Sequence, residues 1–193
     1  MPRIDPLPAS RAGLGTRLAL RYATRRYRQL PEPLGIWAHN PAVFWTWSVA
    51  ESGVQYTWRH LPPTIASLVQ VRVASRIGCE WCLDFGSLLA TRAGVTEAQL
   101  RDLHRWPDSD AFDETESLAL AYADTMTDTP PTVGDDLVEG LLESFTPAQL
   151  VELTALIALE NQRSRFNAAL GITAQGFTSG ACALPAQEVS APA

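Results

Sequence analysis

The sequence predicts an all-α protein, and three observations support that fold class. Apolar residues recur at helical spacing in most of the segments that lie between proline- and glycine-rich breaks. Helix-capping patterns precede several of those segments. The one run that alternates like a strand has no candidate partner strand elsewhere in the chain. With 193 residues, 46% of them apolar and 19% charged, the chain has the composition of an ordinary globular protein.

The first part of the chain is predicted to hold two helices separated by a break. In residues 10–30, Leu14 and Leu18 lie on one face of an amphipathic helix. In residues 41–59, an aromatic-rich block of helical length begins at Pro41, a residue type suited to the first helical position. The break between the two helices is predicted from Pro31, Pro33 and Gly35.

The next run, residues 65–77, can be interpreted in two ways. Val69, Val71 and Val73 alternate with polar residues, as they would in a strand. A longer apolar stripe at helical spacing consists of Ile65, Leu68, Val69, Val73 and Ile77. We predict a helix, because this stripe is longer than a typical strand.

Glycines and capping patterns set the bounds of the later helices. Gly78 interrupts the chain, and a helix over 79–93 is expected to end at Gly94. A further helix covers 135–143, and a long helix opens at Thr146. Two capping boxes are predicted, formed by Thr96 with Gln99 and by Asp113 with Glu116.

Composition divides the chain into three regions. The last region is rich in Ala, Pro, Ser and Gly, and we expect it to be a flexible tail in which Cys182 has no structural role. The three regions are a basic N-terminal helical arm (1–34), a helical domain (35–174) and the C-terminal tail (175–193).

Charge is spread unevenly along the chain. The net charge is −6, but the first 28 residues hold seven arginines and a single acid, Asp5. Such an arm could bind nucleic acid or a membrane surface, or it could pack on the acidic body of its own or a neighbouring subunit. We favour packing, because no aromatic-and-basic motif accompanies the arginines. The chain has no run of about 18 apolar residues and no signal-peptide core, so we expect a cytoplasmic protein.

The candidate catalytic residues are Cys79 and Cys82. Residues three apart at a helix start share a face, and one turn brings their Cα atoms within the roughly 7 Å that a disulfide requires. The free N–H groups and partial positive charge of a helix N-terminus favour thiolate over thiol. The pair could therefore cycle between dithiol and disulfide. Two alternatives stay open: an inert buried pair, and a metal site, for which a second ligand pair is missing.

Several segments resemble the carboxymuconolactone decarboxylase superfamily, in its alkyl hydroperoxidase D-like branch. The cysteine signature, residues 73–84, is the most specific of these. The turn at 90–97, the helix at 112–123 and the closing residues Arg165-Phe166-Asn167 are also similar to that family. The resemblance covers about residues 35–172 and implies a helical bundle that assembles into homo-oligomers, commonly trimers or hexamers.

The resemblance also implies a chemistry. In peroxidase members the second cysteine, here Cys82, attacks a hydroperoxide, the first, here Cys79, resolves it, and an external thiol reductant regenerates the pair. Those members use a glutamate and two histidines as a proton relay, and the three corresponding positions here hold Ser67, Trp81 and Gly86. A general base contributes typically 10²–10⁴-fold, so we expect at best a weak hydroperoxide reductase.

Three functional hypotheses follow. The first is a thiol–disulfide oxidoreductase that uses Cys79 and Cys82 and needs no metal or other cofactor. The second is a lyase or isomerase that acts on a small carboxylated compound, held by arginines such as Arg72, Arg76 or Arg165. The third is a redox-inactive helical oligomer.

Three carboxylates, Glu80, Asp84 and Glu160, could lie near the sulfurs, where a negative charge would disfavour the thiolate.

Overall fold

The computed structural model describes residues 2–178. In that part of the chain the regular structure consists of nine α-helices and one short 3-10 segment, and it contains no strand. The predicted all-α class is confirmed. None of the helices within residues 2–178 is long and apolar enough to cross a membrane. Cys182 lies outside the described residues, so the prediction made for it stays a prediction.

The chain divides into two compact units. The N-terminal unit comprises residues 2–59 together with Leu170–Ile172. Its buried core includes Leu20 and Phe44, and Trp37 packs edge-on against Trp47 with 5.1 Å between ring centroids. Its helices are α1 (Leu14–Tyr27), α2 (Glu32–Trp37) and α3 (Pro41–Thr57).

The short helix α2 corrects the sequence analysis, which predicted a break there. Pro33 lies in the first turn of α2, where the missing N–H would have no intrahelical partner, so a proline is tolerated. Gly35 is required for a different reason. A Cβ on Gly35 would lie 2.6 Å from the Cβ of Pro6, so only glycine permits this close approach. Both residues therefore favour α2 instead of ending it.

The larger unit comprises His60–Ala169 and, among the residues that the structure describes, 173–178. The helix α4 lies at its centre, where it packs against α5, α7 and α9. The elements of this unit are α4 (Pro63–Ile77), α5 (Glu80–Ala93), α6 (Glu97–Asp102), the 3-10 segment Leu103–Asp108, α7 (Glu114–Thr127), α8 (Asp135–Ser144) and α9 (Pro147–Ala169).

The central position of α4 explains its ambiguous sequence pattern. A helix surrounded by neighbours is apolar on several faces, so its hydrophobic period is weak. Val69, Val71 and Val73 are all fully buried, although no single face of a helix could contain all three. The helix prediction for this run is confirmed, and so are both predicted capping boxes, at the starts of α6 and α7.

Candidate functional site

The two cysteines lie at the junction between α4 and α5. Gly78 ends α4 in the left-handed conformation (φ +77°), which glycine adopts without strain. Cys79 then becomes the N-cap of α5, and Cys82 falls in the first turn. Their Cα atoms are 5.3 Å apart and their sulfurs form a disulfide. The sequence predicted this shared turn.

The start of α5 gives the sulfurs a polar environment on one side. The backbone N–H of Cys82 donates to the Sγ of Cys79 at 3.2 Å, which is the contact that an N-cap side chain normally accepts. Sulfur is a weak acceptor in its neutral forms and a much better one as a thiolate. The helix terminus therefore favours the reduced, ionised state of Cys79.

Most of the other neighbours of the sulfurs are apolar. Cys79 and Cys82 pack with Ala74 of α4, and Trp81 and Leu83 lie against this cluster. Cys79 is 1% exposed and Cys82 is 7% exposed. Cys82 is therefore the more accessible of the two sulfurs.

One polar side chain from a distant part of the chain reaches the pair. The amide nitrogen of Asn167, on α9, donates to the Sγ of Cys82 at 3.3 Å. Asn167 is buried, and its carbonyl oxygen has no hydrogen-bond partner among the described residues. No role for Asn167 was predicted from the sequence. The signal was present, because Glu160, Ser164 and Asn167 form a polar row at positions i, i+4 and i+7 of a helix that otherwise buries apolar residues.

Asp84 holds the C-terminal segment, which we define as residues 173–178. Its carboxylate accepts hydrogen bonds from the backbone N–H groups of Gln175, Phe177 and Thr178, at 2.9–3.0 Å, and from the Thr178 hydroxyl at 2.8 Å. Burial acts to raise the pKa of Asp84, but these hydrogen bonds outweigh it and hold the pKa below its usual range. Asp84 is therefore committed to this segment and not to the sulfurs.

An aromatic cluster joins the first two turns of α5 to the C-terminal segment. Trp81 stacks on Phe85 with 4.9 Å between ring centroids, and Phe177 lies edge-on to both rings. The indole N–H of Trp81 also donates to the side-chain oxygen of Gln175 at 2.6 Å. Trp81 also packs against the cysteine cluster, so it links the aromatic cluster to the candidate site.

The three arginines considered for a carboxylated substrate all have partners within the protein. Arg72 makes a two-point contact with Asp124, at 2.6 and 2.8 Å. Arg76 pairs with Asp128, and Arg165 donates to the Thr129 hydroxyl. None of these contacts supports a carboxylate site at the arginines.

The positions of the family's proton relay hold no titratable group. Ser67 lies on α4, Trp81 is part of the aromatic cluster, and Gly86 faces Val71. Glu160, the other carboxylate considered for the sulfurs, pairs with Arg163 and accepts from the Ser164 hydroxyl. Within residues 2–178 no cluster of three or more His, Cys, Asp or Glu side chains could hold a metal ion.

Comparison with known sequences identifies the family. The sequence profile described as the carboxymuconolactone decarboxylase family matches residues 41–125. Over 162 residues the chain is 37% identical to the uncharacterized protein YnjA of Escherichia coli (strain K12), and that match covers 83% of this chain and 86% of YnjA. The chain belongs to the carboxymuconolactone decarboxylase family, as its cysteine signature predicted.

Solved structures share the fold. The alkylhydroperoxidase AhpD core, an uncharacterized peroxidase-related protein from Ralstonia eutropha JMP134, matches with a TM-score of 0.82 at 14% identity, covering 91% of this chain and 94% of that chain. The apo debrominase Bmp8 matches with a TM-score of 0.78 at 22% identity, covering 90% and 92%. Bmp8 was also solved as a cysteine-to-alanine variant in complex with 2,3,4-tribromopyrrole, with a TM-score of 0.74 at 22% identity, covering 87% and 89%. These likenesses establish an alkyl hydroperoxidase D-like helical bundle.

Proposed function

We propose that this protein is a thiol–disulfide oxidoreductase, and a weak hydroperoxide reductase, that acts through Cys79 and Cys82. The observation that carries the proposal is the disulfide between two cysteines on the first turn of α5. A helix N-terminus lowers the free energy of a thiolate, and the resolving sulfur is already within bonding distance.

The proposed reaction balances without a metal or other cofactor. The Cys82 thiolate attacks the outer oxygen of a hydroperoxide, the O–O bond breaks, and the alcohol leaves as Cys82 becomes a sulfenic acid. The Cys79 sulfur then attacks Cys82, which releases water and forms the disulfide. Two thiols and one hydroperoxide thus give one disulfide, one alcohol and one water. An external thiol reductant supplies the two electrons that reopen the disulfide.

Two features of the site support a slow reaction. The positions Ser67, Trp81 and Gly86 offer no general base, and a base typically contributes 10²–10⁴-fold. The low exposure of Cys82 also limits the approach of a bulky hydroperoxide. We therefore expect turnover well below that of a thiol peroxidase with a complete relay.

The test is a count of free thiols on the full chain carrying Cys182→Ser, reduced and then exposed to one equivalent of hydroperoxide. We expect the loss of two thiols per chain and the formation of one alcohol. Cys79→Ser should stop at a sulfenic acid, which a dimedone probe traps, and Cys82→Ser should keep its remaining thiol. A parent protein that loses no thiols, or a Cys82→Ser variant that reduces hydroperoxide as fast as the parent, would exclude the proposal.

A second candidate reaction is reductive dehalogenation of an aromatic compound. It is favoured by the aromatic cluster of Trp81, Phe85 and Phe177, in which Trp81 packs against the cysteines, and by the similarity in fold to the debrominase Bmp8. One thiolate would take the halogen as the ring carbon gains a proton, and the second sulfur would displace halide to give the disulfide. Two thiols and one aryl bromide then give the debrominated ring, HBr and one disulfide. Release of bromide from 2,3,4-tribromopyrrole, lost in both cysteine variants, would support this candidate, and its absence would remove it.

A further inference from the structure

Asn167 is difficult to explain as a purely structural residue. It is 3% exposed, and its carbonyl oxygen is unpaired among the described residues. A buried acceptor without a partner lowers stability, whereas an apolar side chain of similar size would pack there without that cost. Within residues 2–178, the only hydrogen bond of the Asn167 side chain runs from its amide nitrogen to the Sγ of Cys82. A polar group kept at the expense of stability commonly serves a functional site.

The strength of this hydrogen bond depends on the state of the sulfur. A disulfide or thiol sulfur is a weak acceptor, but a thiolate accepts strongly because it is charged. The amide of Asn167 therefore gains most from its contact when Cys82 is reduced and ionised. Since Cys82 lies in an apolar cluster that disfavours charge, a donor at 3.3 Å opposes that effect directly.

The charged groups on the surrounding helices do not supply this stabilisation. On α4 and α9 three arginines pair with acids, whereas Arg165 is exposed and donates to neutral oxygens. On α5 both nearby charges are negative. The arginines of these helices pair as follows: Arg72 with Asp124, Arg76 with Asp128, Arg163 with Glu160, and Arg165 with the Thr129 hydroxyl. On α5, Asp84 binds the C-terminal segment and Glu80 is exposed in the first turn.

We propose that Asn167 is a positioning residue that stabilises Cys82 as a thiolate. The site has no titratable group at the proton-relay positions, which are Ser67, Trp81 and Gly86. The inference rests on the proposed function only in taking Cys82 as the reactive sulfur. The donated hydrogen bond raises the fraction of Cys82 that is ionised near neutral pH. It orients the sulfur as well, because Asn167 projects from a long helix packed against α5. Asn167 needs no contact with the substrate for this role.

The test follows the ionisation of one thiol in the full chain. In a Cys79→Ser/Cys182→Ser background Cys82 is the only cysteine, so its thiolate can be followed by ultraviolet absorbance across pH and by its rate of alkylation. We expect Asn167→Ala and Asn167→Leu to move the midpoint of the absorbance curve to higher pH. The alkylation rate near neutral pH should fall about tenfold, the effect of losing one charge-assisted hydrogen bond. Thermal unfolding should show Asn167→Leu to be no less stable than its parent.

The matched control is Asn161→Ala on the same helix. Its amide donates to the Thr127 hydroxyl and to the backbone oxygen of Ile157, and not to sulfur. We expect it to leave the absorbance curve unchanged. An unchanged midpoint in both Asn167 variants, or an equal shift in Asn161→Ala, would overturn the inference. Because the measurement needs no turnover, a shifted midpoint in a protein that fails to reduce hydroperoxide would reject only the proposed function.

Discussion

The clearest stability prediction concerns the buried ion pair between Arg72 and Asp124. Arg72 is 5% exposed, and its guanidinium donates twice to the Asp124 carboxylate and once to the backbone oxygen of Leu103. The indole N–H of Trp106 also donates to Asp124, at 3.0 Å. We expect Asp124→Ala to destabilise the protein strongly, because it removes the counter-charge of a buried cation and the acceptor of the Trp106 indole N–H.

The size of the effect follows from the burial of the two partners. Removing one partner of a buried pair costs about 3–5 kcal/mol. The Asp124 side chain is 19% exposed, so in Asp124→Ala water can partly solvate the guanidinium of Arg72. We therefore expect the free energy of unfolding to fall by about 3 kcal/mol, the lower end of that range. The matched control is Asp128→Ala, which removes the partner of Arg76. Both side chains of that pair are about one-third exposed, so its loss should cost no more than about 1 kcal/mol.

The assay is urea unfolding of the full chain, followed by circular dichroism under conditions in which both variants are folded at zero denaturant. The midpoint should fall much further for Asp124→Ala than for Asp128→Ala, with little change in the slope. A double variant, Arg72→Met/Asp124→Leu, should recover part of the lost stability, since it removes the unpaired charge but leaves the indole N–H of Trp106 without its acceptor. Equal losses for the two single variants would refute the argument that burial determines the cost.

Two further predictions test other parts of the structure. Because the pKa of Asp84 is lowered in the folded protein, its contribution to holding the C-terminal segment is complete above the ordinary value of about 4 and is lost as pH falls through the lowered pKa. Hydrogen exchange of the amides of Gln175, Phe177 and Thr178, corrected for intrinsic rate, should therefore show protection at neutral pH that disappears in acid, and protection that persists in Asp84→Ala would contradict this. Gly35→Ala should destabilise the protein by roughly 1–3 kcal/mol, because its Cβ would lie 2.6 Å from that of Pro6. Its control, Gly53→Ala, meets nothing within 4 Å and should be neutral or stabilising in urea unfolding.

Local signals explain which elements the sequence could predict. The capping boxes of α6 and α7 depend on residues three apart, and the start of α5 depends on Gly78 and Cys79, so both can be read from short segments. The helix α2 was missed because Gly35 has a role that depends on Pro6, 29 positions earlier in the sequence. Without knowledge of the contact between Gly35 and Pro6, a segment with two prolines and a glycine is predicted to interrupt a helix.

Only the part of the candidate site that lies within one short segment, the Cys79–Cys82 pair, was predicted from the sequence. The Cys79–Cys82 geometry follows from a spacing of three, but Asn167 reaches Cys82 from 85 residues away. Residues 175–178 similarly come to Asp84 from more than 90 positions along the chain. Their composition is typical of a loose tail, and nothing in it indicates that one carboxylate accepts four hydrogen bonds from them. The proposed domain boundaries, the oligomeric state and the cytoplasmic location stay predictions.

Trp81 shows how this site differs from one with a proton relay. At a position where peroxidase members are expected to carry a histidine, its ring stacks on Phe85 and its indole N–H is donated to Gln175. An indole neither accepts nor releases a proton in the physiological range. In the proposed reaction, protons would then come from solvent or substrate, and the ionisation of the attacking Cys82 thiol would control the rate. A bell-shaped pH profile requires both an acid and a base, so the rate of disulfide formation should rise with pH through one transition and then level off. A descending limb at higher pH would reveal a second titrating group and contradict this account of the site.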